Sequence, residues 1–228
     1  MYSYPVNRPE TPLTRARVIA TANDLAGAEG LRAVTVRRVA TELQVTPMAL
    51  YWHVRGKDEL LDGMAESALD RVDPGVDPAL PWPGGIRSLL GSILRSLCRD
   101  PIAAGLLTTR TITSEHGLEI TESLLDLLRR GGFAPGPATQ VARHAIASLA
   151  ALAAGGSGVV VREPDGPSPE RRRARERLEA LPVRRYPRLV EAAGPLSEGV
   201  EREAYLALGL ELLVAGIVAT APEGGDPS

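Results

Sequence analysis

The sequence predicts an all-α chain, and three observations carry that prediction. Apolar residues recur at intervals of three and four through most of the length, as along one face of a helix. The segments with this pattern open on Thr, Ser or Asp and close on Gly or Pro, residues that start and stop helices for known reasons of hydrogen bonding. Strand-like character is confined to Val159-Val160-Val161, too short to make a sheet. The 228 residues allow one large or two modest domains with ample core, and 44% hydrophobic with 24% charged residues is a globular composition.

In chain order, residues 1–12 are polar and proline-rich, an arm whose Arg8 could touch phosphate or which is simply a loose terminus. Residues 14–28 form the first helix, with Val18, Ala22, Leu25 and Ala26 on one face, and Gly30 stops it. Leu31 and Val34 fold beneath the next pair. Thr35 caps the second helix, although Arg38 replaces the Glu or Gln of a capping box, and Val36, Val39, Ala40 and Leu43 are its apolar stripe. Gln44-Val45-Thr46 is a turn. Thr46-Pro47 is a strong start signal, a hydroxyl cap followed by proline at the first helical position. Leu50 and Val54 point inward, Gly56 ends the third helix, and Asp58 and Glu59 suit the first turn of a fourth.

Tyr51, Trp52 and His53 stand in a row on this short third helix. Successive helical residues step by about 100°, so these three sweep about 200° and cannot all face one core. Exposed rings beside Arg37, Arg55 and Lys57 suit an extended anionic partner. Two short helices joined by a tight turn form a helix-turn-helix, whose second member enters the major groove of DNA. Charge agrees: through Lys57, eight basic residues face four acidic ones, a net +4 that leaves −6 for the rest of a chain whose total is −2. Lys57 and the amides at the capped helix start would hold the phosphate backbone. Side chains from Thr46 to Ala49 lie nearest base edges, Pro47 and Met48 offering only apolar contact and Arg37 being the candidate for guanine.

The run LxVTPMALYWHVRGKDELLDGM resembles the DNA-binding domain of tetracycline-repressor-type (TetR) regulators, and GLELLVAG at 209–216, after YPRL at 186–189, resembles their terminal dimerisation helix. The resemblance implies DNA contact from Thr35 and Arg37, then from Thr46, Pro47, Ala49, Tyr51, Trp52 and His53, with Lys57 on phosphate. It also implies a homodimer on double-stranded operator DNA, released by a small-molecule effector. One departure is Gln44, where such turns carry glycine; a left-handed glutamine costs about 1–2 kcal/mol.

The remaining elements make a larger C-terminal helical domain, so the expected division is 13–60 for DNA binding and 61–228 for effector binding and dimerisation. A long fourth helix spans 57–72. Asp73-Pro74-Gly75 and Asp77-Pro78 end it, and a linker runs to Pro83-Gly84-Gly85. Helices follow at 86–97, 101–107, 114–130 (with Leu118, Leu124, Leu125 and Leu128 inward) and 137–154, the last rich in alanine. Residues 155–169 read as a flexible loop. The arginine-rich stretch from Pro169 is a solvated helix laced with i, i+4 pairs, or a second nucleic-acid contact. Residues 198–219 form a helix apolar nearly all round, which needs cover from a partner chain.

Other function classes fare worse. His53, His116 and His144 fall in three different helices, without a metal-binding pair or a nucleophile elbow, so no catalytic residue, metal or cofactor is expected. His144, among Val141, Ala145 and Leu149, reads as a core or interface histidine. A lone Cys98 excludes a disulfide framework. Without a leader or a long apolar span, a cytoplasmic protein with no membrane partner is expected. A constitutive DNA binder, or a helical enzyme fused to a DNA-binding head, remains as the alternative. Tetracycline repressors hold a magnesium-bound drug through a histidine and nearby polar residues; alignment on 129–133 puts Thr108 and Leu124 at such positions. The expected effector is therefore largely apolar, lying among Met64, Leu94, Leu118, Leu124 and Leu125 and oriented by Arg110, Thr111 or His116.

Overall fold

A computed structural model describes residues 12–110, 112–155 and 168–222. The arm with Arg8 and most of the 155–169 loop, including Val159 to Val161, lie outside the described residues, as does Thr111. Helices α1 (Arg15–Glu29), α2 (Val36–Glu42) and α3 (Pro47–Leu50) make the head. Each starts where a threonine hydroxyl takes an orphan amide: Thr14 from Arg17, Thr35 from Arg38 at 3.1 Å, Thr46 from Ala49 at 3.3 Å. Val18, Ala22, Val39, Leu50 and Val54 close its core. Gln44 is held at φ 56°, the one non-glycine residue in the left-handed region among those described.

Two expected boundaries move. The third helix stops at Leu50 with Tyr51 as its cap, and Gly56 is the cap of α4 (Lys57–Ser67) rather than the end of α3. The fourth helix ends at Ser67, not 72. The Ser67 hydroxyl donates to the Met64 carbonyl, and the Ser96 hydroxyl donates to the Ala68 carbonyl, both at 2.7 Å. Side-chain donors thus take carbonyls near the helix end.

The body contains α5 (Trp82–Leu97), α6 (Pro101–Leu106), α7 (Glu115–Arg130) and α8 (Pro135–Ala153). The expected linker to Gly85 is helix from Trp82 onward. Pro83 sits in the first turn, where it loses no hydrogen bond, and Gly85 is there for space: a Cβ would stand 2.5 Å from Leu127 Cδ2. Trp82 meets Phe133 edge-on, ring centroids 6.4 Å apart. Leu90, Ile93 and Leu97 of α5 are fully buried with Leu127 and Leu128 of α7 and Leu149 of α8. On α7 the inward stripe is Ile120, Leu124, Leu127 and Leu128; Leu118 is 54% exposed and Leu125 half-buried, seven residues apart on an adjoining face.

A small satellite follows: α9 (Pro169–Glu179), α10 (Pro187–Glu191) and α11 (Ala193–Glu198) pack on one another. No residue of α9 is buried, and Arg175 pairs with Glu179 and Glu198, which fits a solvated helix. The expected single helix 198–219 is broken at Gly199, φ 69°. Its main part is α12 (Arg202–Ala219), capped by the Glu201 carboxylate, which accepts from the amides of Glu203 and Ala204. This helix lies on α5 and α8 and buries only Val214 and Ile217, leaving Leu208 and Leu212 bare.

Candidate functional site

The head leaves most of the expected DNA-contact residues exposed. Thr35, Arg37, Thr46, Pro47, Tyr51, Trp52 and Lys57 are exposed, with Met48 among them, and Ala49 and His53 are half-buried. Trp52 reaches 86% exposure, so the rings that could not share a core do face outward. The two neighbouring arginines of α2 divide their work. Arg38 is held by Glu29 at 2.7 Å and Glu42 at 2.8 Å, hydrogen bonds that raise its pKa, whereas Arg37 has no ion-pair partner among the described residues. The Glu59 carboxylate accepts from the Arg55 amide at 2.7 Å and ties the segment before α4 to that helix's first turn.

A second site lies in the body. A 640 Å3 cavity between α6, α7 and α8 is lined by Leu69, Leu107, Thr108, Thr109, Arg110, Ile112, Leu118, Ile120, Thr121, Leu124 and Leu125, and from α8 by Thr139, Ala142, Arg143, Ile146 and Ala147. Four of the expected effector residues meet here: Arg110, Leu118, Leu124 and Leu125. Three do not. Met64 is fully buried on the inward side of α4, and Leu94 is core on α5. His116 precedes Leu118 by two residues, about 200° round the helix, and its Nδ1 lies 3.6 Å from Glu119 instead. Arg143 escaped the sequence reading because α8 is rich in alanine and offers several low-profile faces. The available signal was Thr139, Ala142, Arg143 and Ile146 at intervals of three and four. His144 is exposed rather than core, with Ser148 Oγ 3.5 Å from its ring. A larger cleft of 760 Å3 between α1 and α4 carries Arg15, Asp24, Asp70, Arg71 and Arg99 on its walls, so charges of both signs line it.

Polar ties join the cavity region to α4. Arg110 reaches Asp62 at 3.0 Å and Asp58 at 3.3 Å, and these hydrogen bonds, that to Asp62 first, raise its pKa. Nearby, the buried Glu66 carboxylate accepts from the Thr113 amide at 2.7 Å, its hydroxyl at 3.1 Å and the Ser114 amide at 2.8 Å. Among the described residues no helix is long and apolar enough to cross a membrane, and no cluster of ligating side chains could hold a metal.

Comparison with known proteins agrees with this architecture. The family model for bacterial regulatory proteins of the tetR family matches residues 18–64, and that for the tetracyclin repressor-like C-terminal domain matches residues 80–221. An HTH-type transcriptional regulator of Saccharopolyspora erythraea is 29% identical over 94% of this chain and 89% of its own. The class D tetracycline repressor protein of Escherichia coli is 28% identical over 90% of this chain and 88% of its own. Among solved structures, the TetR family protein ActR of Streptomyces coelicolor in complex with actinorhodin superposes with a TM-score of 0.77 at 30% identity, covering 93% of this chain and 99% of that one. The chain belongs to the tetR family of bacterial regulatory proteins and is a ligand-responsive, DNA-binding transcriptional regulator.

Proposed function

We propose that the protein is a homodimeric repressor that binds a two-fold operator through Thr35, Arg37, Thr46, Pro47, Ala49, Tyr51, Trp52, His53 and Lys57, and leaves it when a small molecule fills the α6–α8 cavity. The observation that carries this reading is the single helix α4, which begins at exposed Lys57 and is tied to the cavity region through Arg110 and Glu66. A ligand can shift an equilibrium only by binding one state better than the other. Reshaping the segment around Arg110 changes what holds α4, and so the setting of the head.

Pairing is supported by the bare apolar side of α12 next to the exposed stripe Gln140, His144, Ala147 and Ala151 on α8. Helices apolar on both sides need cover, and a two-fold pair of heads spans half-sites about 34–36 Å apart.

The test starts by selecting a binding duplex from a randomised pool and measuring affinity by fluorescence anisotropy at several salt concentrations. Lys57→Ala should weaken binding and flatten the log–log salt dependence by about 0.9, one lost phosphate contact. Tyr51→Ala should weaken binding without moving the helical far-UV signal. Unchanged affinity in both variants would defeat the assignment of this surface.

A further inference from the structure

The charge and hydrogen-bonding capacity of the cavity wall are one-sided. Among its lining residues stand two arginines, Arg110 and Arg143, and no carboxylate. Four threonines line it as well, but each hydroxyl already donates to a backbone carbonyl: Thr108 to Gly105 at 2.9 Å, Thr109 to Leu106 at 3.2 Å, Thr121 to Gly117 at 2.8 Å and Thr139 to Pro135 at 2.9 Å. What these threonines still offer a ligand is lone pairs. Side-chain donors therefore come from the two guanidiniums. Arg110 is shared with Asp58 and Asp62, whereas Arg143 has no hydrogen-bond or ion-pair partner among the described residues.

We propose, building on the cavity reading above, that the effector is an organic acid: an apolar, ring-sized body with one anionic group held by Arg143, and with Arg110 as a second donor. The leucines and isoleucines that line the chamber would bury the apolar body. Arg143 is an exposed residue that also lines the cavity, and its guanidinium distinguishes an acid from its neutral counterpart, because charge-assisted bonds to it are about twice as strong as neutral ones. A cationic ligand finds no counter-charge on this wall. An anion that engages Arg110 also competes with Asp58 and Asp62 for the same donors, which gives the acid a direct effect on α4 that a neutral molecule of the same shape lacks.

Two fluorescent dyes that differ by one acidic group test this on the full chain. They are 8-anilinonaphthalene-1-sulfonate and its neutral parent, N-phenyl-1-naphthylamine. The readout is the ratio of their dissociation constants, which cancels general effects of a mutation on folding or cavity size. Arg143→Met should shift that ratio about tenfold against the sulfonate, the value of one charge-assisted contact, and Arg143→Lys should restore part of it. Thr121→Trp, which fills the chamber from its wall, should weaken both dyes. If both dyes are lost in Thr121→Trp but Arg143→Met leaves their ratio unchanged, the acid is refuted and the cavity reading stands. If Thr121→Trp leaves both bound as before, the cavity is not the ligand site and both readings fall.

Discussion

The bare side of α12 makes the sharpest prediction about assembly. Leu212 is 65% exposed in the single chain, and Leu208, one turn earlier, is 56% exposed. Leu213 is a worse place to probe, because it is half-buried against the chain's own core and an arginine there would disturb each protomer. Leu212→Arg leaves the protomer's packing almost untouched. Full burial of a leucine is worth about 2 kcal/mol, so covering the remaining exposed part is worth about 1.3 kcal/mol per chain. A two-fold interface counts it twice, about 2.6 kcal/mol, or about two decades in the dimer dissociation constant. Placing an unpaired charge in the seam adds to that figure. Sedimentation velocity at micromolar concentration should show wild-type dimers and Leu212→Arg monomers, with superimposable far-UV spectra. A variant that remains dimeric at the same dilution would place the seam elsewhere.

Other outcomes follow from single residues. Gln44→Gly should raise the thermal midpoint, by relief of about 1 kcal/mol after the extra chain entropy of glycine is subtracted, since φ 56° is a conformation glycine adopts freely; a lower midpoint refutes the strain. The Asp70 carboxyl is pushed above its ordinary range by loss of solvation, with Glu66's charge adding and His116 and Arg15 opposing. A raised pKa means that its contribution is most favourable below its unfolded value and is lost as pH rises through the folded one. Asp70→Asn should therefore raise the urea midpoint at neutral pH and change little at about pH 3; equal gains at both would contradict the burial argument. Tetracycline, with or without magnesium, should not bind at micromolar concentration. The Thr108 hydroxyl on the cavity wall donates to Gly105, and Leu124 offers no hydrogen bond; tight binding in a fluorescence titration would overturn this.

What could be read in advance was mostly local chemistry. Thr14, Thr35, Thr46, Asp100 and Ser114 each cap the helix they were expected to open, because a cap needs only a hydroxyl or carboxylate three residues from an amide. The left-handed Gln44 was legible through the resemblance, because turns of that kind carry glycine at this position. Pro83-Gly84-Gly85 was not, because the same residues that loosen a linker also let α5 approach Leu127, and only the partner helix decides between these roles. Helical stepping led to the expectation of outward rings, and Tyr51 and Trp52 are exposed although α3 itself stops at Leu50. The cavity was legible on α7 through Leu118, Leu124 and Leu125 but not on α8. There an alanine-rich sequence offers several low-profile faces, and the one bearing Arg143 is defined by what stands opposite. Met64 illustrates the converse: a large apolar residue near a cavity is more often part of the wall behind the wall.

The ties along α4 also set a mechanical scale. Glu66 is gripped by three hydrogen bonds, one helical turn beyond Asp62 and two beyond Asp58, while Lys57 is the helix's first residue. At 1.5 Å per residue, the arm from Glu66 to Lys57 is about 13 Å. With Glu66 as pivot and Arg110 as the latch, a rotation of about 10° carries Lys57 sideways by about 2 Å over that arm. In the proposed two-fold pair the axis repeats the displacement in the partner, so the gap between the heads changes by up to twice as much. At about 4 Å, that exceeds the axial rise of roughly 3.4 Å per phosphate along one strand. Under the proposed function, a latch of a single side chain, engaged or not, would be enough to move the two Lys57 side chains out of register with a rigid duplex.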